Sequence, residues 1–212
     1  MLRIIVRPFF LLFIRSWSRF RKEVIKIGAK GYMFAMKMGF NVTIGKRSVF
    51  KGIPKVIVNG SGCIMIGNDF AMNSGRHFNP IGRNQQSLMY VGKGATLSIG
   101  NNVGMSSAAI VCSYRITLGN NIKLGGNTVI YDSDFHSLNA IERTAIPEVK
   151  ENIGMAEVII GDNVFIGAHS TILKGVAIGK NSIVGAGSVV AKSIPEREIW
   201  GGNPAKFIRK VE

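Results

Sequence analysis

Three side chains able to hold or move a proton crowd into one short stretch, Ile130-Tyr131-Asp132-Ser133-Asp134-Phe135-His136-Ser137-Leu138. Histidine is the side chain best suited to taking a hydroxyl proton near neutral pH. On a continuing strand alternate residues share a face, so Asp132, Asp134 and His136 would lie together. Either carboxylate would then hold one imidazole nitrogen and raise the basicity of the other, with Asp134 preferred. The plainer reading is a loop histidine on a solvated surface. His169, inside Gly167-Ala168-His169-Ser170, is expected to point outward, and His77 lies in an irregular stretch with no evident role. Cys63 and Cys112 sit in strand-like runs without CxxC or metal-ligand spacing. They read as two small buried hydrophobes.

That stretch interrupts a repeat. From Ile160 to Val190 an aliphatic residue recurs every six positions, at Ile160, Ile166, Ile172, Ile178, Val184 and Val190. Glycine follows at Gly161, Gly167, Gly179 and Gly185, and a small or branched residue comes later in each unit, at Val164, Ser170, Val176, Ser182 and Ser188. A period of six fits neither a helix nor an alternating strand and reads as an all-β parallel β-helix. Each hexapeptide is a strand plus a corner, three make a triangular coil, and about six coils are expected. Ile130, Leu124 and Leu118 keep the frame. His136, Glu142, Glu148 and Gly154 break it, so residues 132–157 leave the coil as an excursion. A second polar, turn-rich interruption runs from about residue 72 to residue 89.

The aliphatic-Gly motif recurs in looser form at Ile44-Gly45, Ile66-Gly67, Val91-Gly92, Ile99-Gly100, Leu118-Gly119 and Leu124-Gly125. Over roughly residues 40–210 the chain resembles the left-handed β-helix acyltransferases of the hexapeptide-repeat type. The Asp-x-Asp-Phe-His segment resembles the catalytic loop of their sugar O-acetyltransferase branch. The end, Gly202-Asn203-Pro204-Ala205-Lys206-Phe207-Ile208-Arg209, resembles the family's C-terminus. The resemblance implies left-handed coiling, a homotrimer with active sites between subunits, and acetyl-CoA as co-substrate without a metal. It implies His136 as general base and Asn73 as an acceptor contact. Ala168 and Ala186 would flank the pantetheine arm, with Phe165 near the thioester where sugar acetyltransferases often carry Trp. Lys192 and Lys206 would approach the CoA phosphates. The histidines are widely separated in sequence, unlike the closely grouped zinc ligands of the carbonic anhydrases on this fold. No nucleophilic Ser or Cys context is evident, so direct transfer without an acyl-enzyme is expected.

At 212 residues, 46% hydrophobic and 18% charged, the chain can bury one core. It divides into a basic arm over 1–39, the β-helix over 40–192 and a C-terminal segment over 193–212. The net charge of +15 is uneven, for residues 1–55 hold 13 Lys/Arg against Glu23 alone. That suits a membrane surface or an anionic cofactor. Nucleic acid is set aside, because no such fold is recognisable and aromatics do not interleave with the basic residues of the repeats. In the arm, Phe10, Phe13, Trp17, Phe20, Val24 and Ile27 recur at spacings of three and four, opposite Arg15, Arg19, Lys22 and Lys26. This predicts an amphipathic helix opening at Pro8 and stopping at Gly28. Its apolar run is too short to cross a bilayer and no small-residue cleavage site follows, so a cytoplasmic protein is expected. The helix either rests on the inner face of the membrane or caps the first coil and packs between subunits.

The expected function is acetylation of a sugar hydroxyl on a cell-surface polysaccharide, its lipid-linked precursor or a related glycoside. Arg83 and Arg143 are candidates to meet an acidic sugar or a diphosphate carrier. The alternatives are an amine acceptor, such as a nucleotide-linked aminosugar, and a non-catalytic β-helix scaffold.

Overall fold

The computed structural model describes residues 2–81 and 85–212; over residues 2–15 it describes the backbone only. Eighteen short strands wind as six three-strand coils. The first two are β1 (Val42–Ile44), β2 (Val49–Lys51), β3 (Lys55–Val58), then β4 (Cys63–Ile66), β5 (Ala71–Asn73), β6 (Leu88–Val91). Next come β7 (Thr96–Ile99), β8 (Gly104–Ser106), β9 (Ala109–Cys112), and β10 (Arg115–Leu118), β11 (Lys123–Leu124), β12 (Val129–Tyr131). The last two are β13 (Val158–Ile160), β14 (Phe165–Ile166), β15 (Thr171–Ile172), and β16 (Ala177–Ile178), β17 (Ile183–Val184), β18 (Val189–Val190). Every third strand stacks in parallel, giving three faces: A from β1 to β16, B from β2 to β17 and C from β3 to β18. Face B is extended by β19 (Glu198–Gly201), parallel to β17, and by the antiparallel β20 (Lys206–Lys210). The fold is an all-β left-handed parallel β-helix with an N-terminal helix.

The period of six works as sterics require. Ile160, Ile166, Ile172, Ile178, Val184 and Val190 all point into the prism and are buried, as are Val164, Ser170, Val176, Ser182 and Ser188. The buried hydroxyls spend their protons on backbone carbonyls: Ser170 on Gly185, Ser188 on Gly185 and Ser182 on Pro195. A Cβ at Gly167 would come within 2.4 Å of the Ala186 backbone nitrogen on the next coil, which leaves glycine as the fitting residue. Cys112 is buried in the core, whereas Cys63 is only half-buried. Burial first, and then the carboxylate of Asp132, push the Cys112 thiol far up, so it stays protonated and inert.

The N-terminal helix, α1, runs unbroken over Leu2–Gly39, so Gly28 does not stop it. The reason is a second apolar stripe. Ala29, Met33 and Met36, at helical spacing, are buried against the first coil, and Gly28 and Gly31 meet almost nothing there. Tyr32 finishes the edge of face C: its hydroxyl donates to the Val56 carbonyl at 3.3 Å and accepts from the Val56 N–H at 3.1 Å. The stripe singled out from sequence lies on the other side. Trp17, Phe20, Val24 and Ile27 are exposed, and Phe34 and Met38 continue that row. Phe10 and Phe13 fall outside the described side chains. Among the described residues no helix is long and apolar enough to cross a membrane.

Candidate active site

The strand β12 ends at Tyr131, and β13 does not begin until Val158. Between them the chain leaves the corner where face C meets face A. Asp132 is fully buried, with its two oxygens accepting from the Ser113 and Tyr114 N–H groups at 2.7 and 2.8 Å. It therefore pins the turn of the preceding coil and is not free to reach an imidazole. At Phe135 the backbone reverses through a positive φ of 65° while its ring packs edge-on against Tyr131. The expected strand continuation fails here, and with it the shared side of Asp132, Asp134 and His136. Asp134 instead faces the Lys174 ammonium at 3.3 Å, and its N–H donates to the Gly154 carbonyl.

The partner of His136 is Glu148. Nδ1 lies 3.0 Å from both carboxylate oxygens, with the imidazole largely exposed and the carboxylate mostly covered. The hydrogen bond from the histidine, ahead of all other effects, holds the Glu148 carboxyl below its usual range. With the proton of the neutral ring on Nδ1, Nε2 carries the lone pair and has no partner among the described residues. No spacing rule pointed to Glu148. It arrives 12 positions on (|i−j| = 12), beyond the helix α2 (Ala140–Thr144), so only the folded excursion pairs it with His136.

The excursion is braced from within. Asn139 caps α2 by accepting from the Ile141 N–H at 2.9 Å. Glu142 receives the Ser137 hydroxyl and the Asn152 amide, and Arg143 donates to the Ser137 and Leu138 carbonyls at 2.7 and 3.2 Å. Arg143 is thus engaged in holding the loop beside His136, a role different from the expected ligand contact. Arg83 lies outside the described residues. Beneath the loop, Phe135, Ile153 and Met155 close an apolar cleft of 540 Å³ against Ile57, Tyr90 and Val111 of face C.

The other expected site residues stand elsewhere. Asn73 ends β5 at the corner of faces B and C, with its amide donating to the Ser106 hydroxyl at 3.1 Å. Ala168 and Ala186 occupy that corner on the last two coils. The Ala168 carbonyl already accepts from Gly187 at 2.8 Å. His169 follows Ala168 there but does not simply point outward. It is half-buried, with Nδ1 enclosed and without a partner among the described residues. Phe165 projects from face B, half exposed. Lys192 and Lys206 come together with Trp200, Ala205 and Phe207 around a 360 Å³ cleft at the end of the helix. One chain therefore gathers His136 at one corner, and Asn73, Ala168 and Ala186 at another.

A family model described as the hexapeptide repeat of succinyl-transferase matches residues 157–192. The galactoside O-acetyltransferase of Escherichia coli (strain K12) is 32% identical over 126 residues, covering 58% of each chain. The mitochondrial gamma carbonic anhydrase 2 of Arabidopsis thaliana is 35% identical over 103 residues, covering 46% of this chain and 37% of that one. The chain spans about half the length of most curated relatives it matches. Among the described residues no three His, Cys, Asp or Glu side chains are grouped to hold a metal ion. Among solved structures, AntD, an N-acyltransferase from Bacillus cereus in complex with dTDP and 3-hydroxybutyryl-CoA, superposes with a TM-score of 0.67 at 22% identity. That match covers 85% of this chain and 88% of that one and speaks for the fold. With its period of six and its six stacked coils, the chain is a left-handed β-helix that carries the hexapeptide repeat and is similar over part of its length to acetyltransferases.

Proposed function

We propose that the protein transfers an acetyl group from acetyl-CoA to a sugar hydroxyl, with His136 as general base. The observation that carries this reading is the His136–Glu148 pair, which leaves Nε2 as the open base on an exposed ring. Nε2 takes the acceptor's hydroxyl proton, and the oxygen attacks the thioester carbonyl carbon. The tetrahedral intermediate then expels the CoA thiolate, which takes the proton back from the imidazolium. Glu148 holds the tautomer and stabilises the imidazolium, in the role first expected of Asp134. CoA would run along the corner of faces B and C past Ala168 and Ala186. Phe165 would wall the thioester, and the Lys192–Lys206 cleft would take the phosphates.

The separation of Asn73 from His136 supports a homotrimer in which corners of neighbouring chains close one site. The exposed row from Trp17 to Met38, beside an excess of Lys and Arg, supports contact with the inner face of a membrane and hence a polysaccharide precursor as acceptor. The fold match to an N-acyltransferase supports an amine acceptor as the second reading, served by the same base. Thiol release from acetyl-CoA, measured against a panel of sugars and aminosugars, tests the assignment. Turnover with one acceptor class is expected, and an His136→Ala variant that keeps near wild-type turnover would refute the base.

A further inference from the structure

A second cleft, of 500 Å³, lies between α1, the ends of β2 and β5, and the loop that follows β5. Lys22 reaches it from α1, Lys51 from β2, and Arg76 and His77 from the loop, with Asn73 and Asn79 also lining it. Elsewhere a few cations are paired, among them Lys26 with Glu23, Arg47 with Asp69, Lys174 with Asp134 and Lys180 with Glu196. Among the described residues no carboxylate lies in ion-pair reach of Lys22, Lys51 or Arg76. The sequence also has no acid in residues 1–15 or 82–84. Burial first, and then the fields of Arg21, Arg76 and Lys22, push His77 toward its neutral form. Cations gathered around a polar cleft without an acid repel one another, and a polyanion reverses that cost.

We propose that this cleft binds the diphosphate of a phosphorylated acceptor, with Lys22, Lys51 and Arg76 on its oxygens and Asn73 toward the attached sugar. As a statement about the acceptor this rests on the acyl-transfer reading; as an anion site it does not. The site is distinct from the one assigned to the CoA phosphates. It sits on the first two coils and the Lys192–Lys206 cleft on the last, about 20 Å away along an axis that rises about 4.8 Å per coil. Two sources offer a diphosphate, a nucleotide-linked sugar and a polyprenyl-linked sugar, and the exposed row on α1 near Lys22 leaves a path for the lipid.

Calorimetric titration of the full chain, saturated with CoA, with inorganic pyrophosphate, uridine diphosphate and farnesyl diphosphate tests this. Pyrophosphate is expected to bind with CoA present and to weaken with added salt. Each of Arg76→Ala and Lys51→Ala should weaken it about tenfold, the loss of one charge-assisted contact, while CoA affinity stays unchanged. Arg76→Lys, which keeps the charge, should retain most of the binding. A tighter uridine diphosphate assigns the nucleotide source, and a tighter farnesyl diphosphate the lipid source. Pyrophosphate that fails to bind, that competes with CoA, or that ignores both alanine substitutions overturns the site. Pyrophosphate binding that depends on Arg76, without thiol release for any acceptor, would leave the anion site standing and remove the acyl-transfer reading.

Discussion

Two corners of the same prism are built on opposite principles. Where face A turns into face B, every coil places a residue in the left-handed region, among them Asn102, Asn121, Asn163 and Asn181 with φ between 53° and 61°. Their amides form a ladder from coil to coil, each Nδ2 donating to the next Oδ1 at 2.8–3.0 Å. A second ladder beside it carries the backbone N–H groups of Asn68, Asn101 and Asn120 onto the side chains of Asn101, Asn120 and Asp162. Where face C turns into face A, the chain instead spends 26 residues, 132–157, on an excursion held by Ser137, Glu142, Arg143, Glu148 and Asn152. A polar side chain on the regular corner is satisfied by the residue at the same place one coil away, an Asn on Asn over the later coils and Arg47 on Asp69 over the first two. A polar side chain on the excursion is satisfied by a different residue type, and the Nε2 of His136 is left without a partner among the described residues.

The largest test of this contrast is His136→Ala. Because the ring is exposed and outside the core, turnover should fall roughly 10²–10⁴-fold while the unfolding midpoint stays put. A parallel loss of stability would mean that the excursion is part of the prism. Next in size is Glu148→Gln, which keeps the shape but removes the carboxylate that fixes the ring. A fall of roughly 10–10² in kcat, with KM for CoA little changed, is expected. This is less than the roughly 10⁴ seen when a fully buried orienting carboxylate is lost. Asp134→Asn is the internal control, since its carboxylate faces Lys174, and it should cost turnover less than Glu148→Gln.

These contrasts mark how much of the molecule could be read from the chain. The repeat was legible because one steric rule recurs: Ile160 and Val190 obey the same geometry, so position in the period predicts burial. The boundaries of the excursion over 132–157 were legible as the places where that rule stops, whereas the interruption set at 72–89 overlaps the strands β5 and β6 at its two ends. What happens inside an excursion is set by contacts with no period, which is why Glu148 was invisible and Asp134 looked plausible. The Asn ladder was equally hidden, for it depends on left-handed corner turns that a hydrophobic pattern does not report. The arm shows a third limit. Two apolar stripes share one helix, and the aromatic one, easier to see, is the one the prism does not use.

Breaking the ladder should act in the opposite sense to breaking the site. Asn121→Ala removes two amide contacts and puts a Cβ without a local hydrogen bond into a left-handed turn. A loss of about 2 kcal/mol of stability is expected, with turnover per folded molecule unchanged. Asn121→Gly keeps the turn at no steric cost, so it should lose only the ladder share, and denaturant midpoints separate the two. Equal losses in both variants would assign the whole effect to the amides and none to the backbone.

The smallest effect is the most selective. Glu148 and Glu142 both hold their protons less tightly than usual, the first chiefly through the bond from His136, the second through the Ser137 hydroxyl and then the Asn152 amide. A carboxyl whose folded value lies below its unfolded value, about 4.3 for Glu, stabilises the fold above that pH. The contribution fades as pH falls through the folded value. The regular corner carries mostly neutral amides and has few such groups to lose. Lowering the pH from 7 to below 4 should therefore speed hydrogen exchange in residues 136–152, after correction for the intrinsic rate. The N–H groups of Asn101, Asn121 and Asn163 should stay protected. Simultaneous loss at both corners would show that the excursion and the ladder unfold as one unit, and the contrast between them would then be one of sequence pattern without an energetic counterpart.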